Sequence, residues 1–148
     1  MFSSSAKVTL DSKGRMAIPT RFRDGISSRC DGSLVGAMDN DDSCILLYPS
    51  PDWEGAARRL LRLSGNKRSV RRMQRNMVGR VFDMEMDNHG RILIPSKLRE
   101  QANLSKQAIL VGLGSKFELW DEKLWDKWCE NSDSISEDLP PELESLLL

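Results

Sequence analysis

Histidine is almost missing from this chain: His89 stands alone among 148 residues. No pair of imidazoles is therefore available to ligate a metal or relay a proton. Cysteine is scarce and odd in number. Cys30, Cys44 and Cys129 are widely separated, which fits neither a disulfide framework nor a paired metal motif. They read as free thiols, with Cys44 and Cys129 expected beside apolar neighbours. No apolar run approaches bilayer length, and Met1-Phe-Ser-Ser-Ser-Ala6 lacks a cationic segment followed by an apolar one. A cytoplasmic protein without a membrane partner is expected. Net charge is missing too, because 22 Lys and Arg balance 22 Asp and Glu. Neither a nucleophile–base pair nor a glycine-rich phosphate loop is present, so the expectation is no catalysis, no cofactor, no metal and no small-molecule substrate. With 39% hydrophobic and 30% charged residues, the chain reads as one soluble globular domain or two small ones.

What is present is a sentence written twice. Val8-Thr-Leu-Asp-Ser-Lys-Gly-Arg-Met-Ala-Ile-Pro-Thr-Arg-Phe-Arg23 returns as Met84-Glu-Met-Asp-Asn-His-Gly-Arg-Ile-Leu-Ile-Pro-Ser-Lys-Leu-Arg99. Asp11, Gly14, Arg15, Ile18, Pro19 and Arg23 recur as Asp87, Gly90, Arg91, Ile94, Pro95 and Arg99. An internal repeat implies supersecondary units that need each other to bury their apolar sides. Alternating apolar residues before each Asp predict a half-buried strand. Asp and Gly then mark a tight reversal, where Gly14 or Gly90 supplies a backbone conformation closed to other residues. Met16-Ala-Ile18 and Ile92-Leu-Ile94 read as returning strands, and Pro19 and Pro95 open short helices. The arginine after each turn glycine carries two readings: a guanidinium directed at phosphate or a guanine edge, or a surface pair with its own aspartate.

The remaining pattern repeats as well. Asp24-Gly25 is expected to end the first helix. Ser33–Met38 and Cys44–Tyr48 read as a hairpin around the solvated turn Asp39-Asn-Asp-Asp-Ser43, whose spacing lacks the glycine and final Glu of a calcium loop. Ser50 is expected to cap a helix with Pro51 in its first turn, and Trp53, Ala56, Ala57, Leu60 and Leu61 give it an apolar face. In the second half Ala108–Val111 and Lys116–Trp120 form the hairpin, Asp121 caps, and Leu124, Trp125 and Trp128 line the helix. Intrachain core is the expected place for Trp53 and Trp125. The fold class expected is mainly β with short helices, an intrachain pseudo-dimer with the motif copies paired about an approximate twofold.

The doubled motif, together with Leu47-Tyr-Pro49 and Phe117-Glu-Leu-Trp-Asp121, resembles the MraZ family, bacterial regulators tied to the division and cell-wall gene cluster. The halves of its members are each related to the AbrB-type DNA-binding fold. The resemblance covers nearly all of residues 1–128. It implies two tandem AbrB-like swapped-hairpin β-barrel half-units: a first repeat over 5–51, a helical basic connector over 52–79, a second repeat with its C-terminal helix over 80–128, and an acidic tail over 129–148. It also implies double-stranded DNA as partner, a ring-shaped homo-oligomer, nucleoid association, and autorepression through short direct repeats. On that reading Arg15 and Arg91 meet base edges, while Lys13, Arg21, Arg23, Lys97 and Arg99 hold phosphates. Asp11 and Asp87, with Gly14 and Gly90, orient the turns. His89 stands where Lys13 does, so the copies need not contribute equally.

Charge is sorted along the chain rather than absent. Nine cations, Arg58, Arg59, Arg62, Lys67, Arg68, Arg71, Arg72, Arg75 and Arg80, run without an acid among them. After Lys127 come Glu130, Asp133, Glu137, Asp138, Glu142 and Glu144 without a cation. The connector is read either as a phosphate-binding face or as a surface braced by acid elsewhere. Two further function classes compete with a DNA-binding regulator. An enzyme built on Asp11 and Asp87 as paired carboxylates is disfavoured because each acid is closely followed by a cation. An AbrB-like antitoxin or protein-partner module acting through the acidic tail is the alternative to a DNA-binding regulator.

Overall fold

In the computed structural model of the chain, residues 1–131 and 140–146 are described, so residues 132–139 of the acidic tail and its last two leucines lie outside the described residues. The first half comprises β1 (Ser5–Thr9), β2 (Arg15–Ala17), α1 (Thr20–Cys30), β3 (Ser33–Met38) and β4 (Ile45–Pro49). The connector holds α2 (Ser50–Leu61), α3 (Arg68–Gln74) and a π-helical turn over Arg75–Gly79. The second half repeats the order as β5 (Phe82–Glu85), β6 (Arg91–Leu93), α4 (Ser96–Gln101), β7 (Gln107–Leu113), β8 (Lys116–Asp121) and α5 (Glu122–Asn131), with a short α6 (Glu142–Leu146) beyond. Among the described residues, no helix is long and apolar enough to cross a membrane.

The architecture is mainly β with short helices: an open six-stranded sheet in the order β1-β7-β8-β4-β3-β5 and a two-stranded ribbon of β2 and β6. Each half lends its first strand to the other. β1 pairs with β7, and β5 pairs with β3. Leu34 faces Met84 in one of these ladders and Ala108 faces Val8 in the other. The ribbon is centred on Met16 opposite Ile92, which are repeat equivalents.

The centre of the sheet is buried on both faces, which is why β4 reads as an unbroken apolar run. On one side Ile18, Phe22, Ile26, Leu34, Ile45 and Leu47 share a core with Met84, Ile92, Ile94, Leu98, Leu110, Phe117 and Leu119. Both repeats thus fill one interior. On the other side Leu46, Tyr48 and Met77 pack under Trp53, while Ile109, Val111 and Trp120 pack under Leu124 and Trp125. Period-two alternation sends neighbouring strand residues to these opposite faces.

Three local expectations are corrected. α1 does not stop at Asp24-Gly25 but runs on to Cys30. Ile26, fully buried one residue later, ties the next turn to the core, and the helix ends where Asp31 and then Gly32 adopt positive φ angles of 54° and 84°. Ser50 is the first helical residue of α2 rather than its cap. Its hydroxyl is engaged with that of Ser33 at 2.7 Å. Cys129 is exposed, whereas Cys44 is buried as expected. Asp121 does serve α5, accepting from the amide of Lys123 at 3.2 Å. It also accepts from the amide and hydroxyl of Ser105 at 3.1 and 2.7 Å.

Candidate nucleic-acid interface

Each turn is built by its own aspartate. The Asp11 carboxylate accepts from the amides of Lys13 and Arg15, both at 2.9 Å, and from Arg15 Nε at 2.8 Å. Asp87 does the same with His89 and Arg91, at 2.9, 2.9 and 3.2 Å. A carboxylate that receives backbone N–H groups favours its charged form. The Arg15 amide above all, with the side chain of Arg15 and the amide of Lys13 adding to it, holds the Asp11 carboxyl down at about 2. Asp87 is lowered for the same reason, with the Arg91 amide as the largest cause. Gly14 and Gly90 close the reversals at φ angles of 87° and 75°, a region where a side chain is strained.

Of the two readings of the arginines, the surface pair with the aspartate is present, and it engages only part of each guanidinium. Arg15 and Arg91 pair with their own aspartates, yet in both cases the recorded bond uses Nε. The terminal nitrogens have no bonded partner among the described residues. Those two nitrogens form the fork that suits a phosphate or the O6 and N7 of guanine.

The ribbon brings the two turns together. Met16 and Ile92 point inward, each about 1% exposed. Arg15 opposite Leu93 and Ala17 opposite Arg91 therefore form the outer face. Arg15 and Arg91 are diagonal neighbours there, with backbones roughly 7–8 Å apart by the geometry of such pairs. Leu93, which is 54% exposed, shares this face. The sequence reading passes over it, although the alternation Arg91-Ile92-Leu93 is the signal.

The remaining candidates are placed unequally. Lys13 and Lys97 are exposed. Lys97 shares a shallow pocket with Arg80 from the end of the connector. Arg21 is exposed but donates to the Ser5 carbonyl at 2.9 Å and lies 4.8 Å from the Phe22 ring centroid. Arg23 and Arg99 are half-buried, and they donate through Nε to the carbonyls of Ile18 and Ile94 at 2.6 and 3.0 Å. The connector cations from Arg58 to Arg80 are exposed, and Arg58 pairs with Glu54 of its own helix at 3.6 Å. The acidic turn after β3 is tied by Asp39, which accepts from the amides of Asp41 and Asp42. Among the described residues no cluster of His, Cys, Asp and Glu is suited to hold a metal.

The family model described as "MraZ protein, putative antitoxin-like" matches twice, over residues 1–76 and 77–143. A protein of Halorhodospira halophila called transcriptional regulator MraZ is 41% identical over 152 residues, spanning 100% of both chains. Relatives of the same name in Thioalkalivibrio sulfidiphilus and Pseudomonas aeruginosa are 45% and 42% identical, spanning 93% and 100% of both chains. With its doubled Asp-x-x-Gly-Arg turn, two family matches in tandem and full-length relatives of that one name, the chain belongs to the MraZ family.

Proposed function

We propose that this chain is a sequence-specific DNA-binding transcriptional regulator that acts by binding rather than catalysis. The observation that carries the reading is the outer face of the β2–β6 ribbon, where Arg15 and Arg91 sit side by side with their terminal nitrogens uncommitted. A two-stranded ribbon is narrow enough to enter the major groove of B-DNA. In this reading Arg15 and Arg91 contact base edges, Lys13, Arg21 and Lys97 hold phosphates, and Asp11 and Asp87 fix the turns without meeting DNA. The names of the full-length relatives support regulation of transcription.

We also infer that the halves, 5–51 and 80–128 joined by the connector 52–79, form an intrachain pseudo-dimer of AbrB-like swapped-hairpin units. The strand order supports it, since exchanging β1–β4 with β5–β8 returns the same order reversed. The ribbon centred on Met16 and Ile92 supports it too. One ribbon spans little DNA, so specific affinity calls for several copies. A ring of rotationally related subunits suits direct repeats better than a twofold dimer does. The family resemblance points to such a ring on repeats before the division and cell-wall genes, with autorepression and nucleoid association as the outcome. The antitoxin-like wording of the family model keeps a second reading, capture of a protein by the acidic tail.

The test is binding of wild type, Arg15→Ala and Arg91→Ala to a duplex from upstream of the protein's own gene and to a scrambled duplex, across a salt series. Wild type should prefer the native duplex. Each variant should lose about 1–3 kcal/mol of that preference, the worth of a bidentate arginine–guanine contact, while staying folded. Equal binding of all three proteins to both duplexes, with one salt slope, would assign the contact to the connector. No binding at all would favour the tail.

A further inference from the structure

We propose that Arg23 and Arg99 are positioning residues, each of which holds the DNA-facing turn of the other repeat. The inference rests on the DNA reading above, and it moves both residues away from the phosphate contacts expected of them.

Three contacts close a triangle around the first turn. The amide of Ile94 donates to the Gly14 carbonyl at 2.9 Å. Arg99 Nε donates to the carbonyl of the same Ile94 at 3.0 Å. The Arg99 guanidinium packs against Gly14, where a β-carbon would stand 2.5 Å from Nε and 2.6 Å from Cζ. The second turn has the same triangle: Ile18 N–H to the Gly90 carbonyl at 2.7 Å, Arg23 Nε to the Ile18 carbonyl at 2.6 Å, and the Arg23 side chain against Gly90. Each triangle takes its glycine from one repeat and its arginine and isoleucine from the other.

The glycine therefore answers two demands, a positive φ and room for a guanidinium. A planar group of fixed geometry can clamp a backbone in this way, whereas an ammonium on a flexible stem cannot. The bracket recurs in both turns, while the tips it holds differ, Ser12-Lys13 in one and Asn88-His89 in the other. A shared frame under different tips is the arrangement expected when the frame sets geometry and the tips meet the ligand. Arg15 and Lys13 would then be aimed from the second repeat, and Arg91 from the first.

The experiment measures full-length wild type, Arg99→Lys, Arg99→Gln, Gly14→Ala, Arg15→Ala and Arg91→Ala on the native duplex, on the scrambled duplex and on duplexes with single base-pair changes across one half-site. Arg99→Lys keeps the charge but not the planar clamp. It should lose roughly tenfold in preference for the native duplex, the scale of one misplaced bidentate contact, with an unchanged salt slope. Its base-pair profile should match that of Arg15→Ala and not that of Arg91→Ala. Gly14→Ala, which attacks the same contact from the turn, should give the same profile, so the outcome does not hang on one variant folding. The proposal is overturned if Arg99→Lys binds like wild type while Arg99→Gln loses about one phosphate's worth of salt slope. It is also overturned if the Arg99 profile follows Arg91→Ala. A wild type without preference removes the DNA reading itself, and this proposal with it.

Discussion

The amide of Ile94 donates to the carbonyl of Gly14 across 2.9 Å, joining the returning strand of the second repeat to the turn of the first. Ile18 does the same for Gly90 at 2.7 Å. Neither turn can shift without carrying the strand of the other copy. The glycine at the end of this bond should therefore be more sensitive than its backbone angle alone implies.

Gly14 and Gly114 separate the two effects. Both have positive φ, 87° and 80°, but a β-carbon at Gly114 meets nothing within 4 Å. Gly114→Ala should cost the left-handed strain alone, roughly 1–2 kcal/mol. Gly14→Ala should cost measurably more, because it must also displace Arg99. Urea unfolding of the two variants makes the comparison, and equal losses would show that the guanidinium yields freely.

The turn carboxylates should remain ionised in acid. The hydrogen-bonded Asp11 lies at about 2, below the ordinary 3.8. Its folded value is depressed, so its support of the turn is complete above 3.8 and fades as pH falls toward about 2. The Lys13 and Arg15 amide resonances should report that midpoint in an NMR titration, with Asp87 also below the ordinary value. A midpoint near 4 for both would mean that the amide bonds do not hold in solution.

Gly25 should show a reversal of sign. Alanine favours a helix interior over glycine by roughly 1 kcal/mol. Its β-carbon here would stand 2.8 Å from the Phe2 ring, which is buried and lies 4.3 Å, centroid to centroid, from Phe117. Gly25→Ala should destabilise the wild type by about 1–3 kcal/mol, as overpacking does, and should stabilise a Phe2→Ala background. A double-mutant cycle in urea reads the coupling. The same sign in both backgrounds would remove Phe2 as the cause.

The connector should loosen when one hydrogen bond is taken away. Trp53 Nε1 donates to the Met77 carbonyl in the π-helical turn at 2.9 Å. Trp53→Phe keeps most of the packing but leaves that carbonyl without its donor, at a cost of about 0.5–1.5 kcal/mol. Amide hydrogen exchange across Arg75–Gly79 should quicken relative to the six-stranded sheet. Unchanged exchange there would show that the turn is held by packing alone.

Much of this was legible because it is local. Asp11 reaches Arg15 within one turn, Gly14 needs a positive φ, and Pro19 precedes a helix; each of these depends on neighbours four or fewer residues away. The repeat, the element order and the exposed Lys13 follow from such short-range chemistry. Asp24-Gly25 misled because a local stop signal competes with burial, and Ile26 at 0% exposure outweighs it.

Short-range chemistry along the chain specifies two copies of one unit, the build of each turn and the arginine placed after it. It could not determine which copy completes which. β3 and β7 offer similar edges to β1, and hydrogen-bonding edges carry little information about their partner, so local pattern leaves the pairing degenerate. Only the tertiary structure, by burying both repeats in one core, sent β1 to β7 and β5 to β3. The same choice carried Arg23 and Arg99 from an expected open surface to the glycines of the opposite turns, because a side chain's neighbours across the fold are fixed by packing and not by its place in the chain.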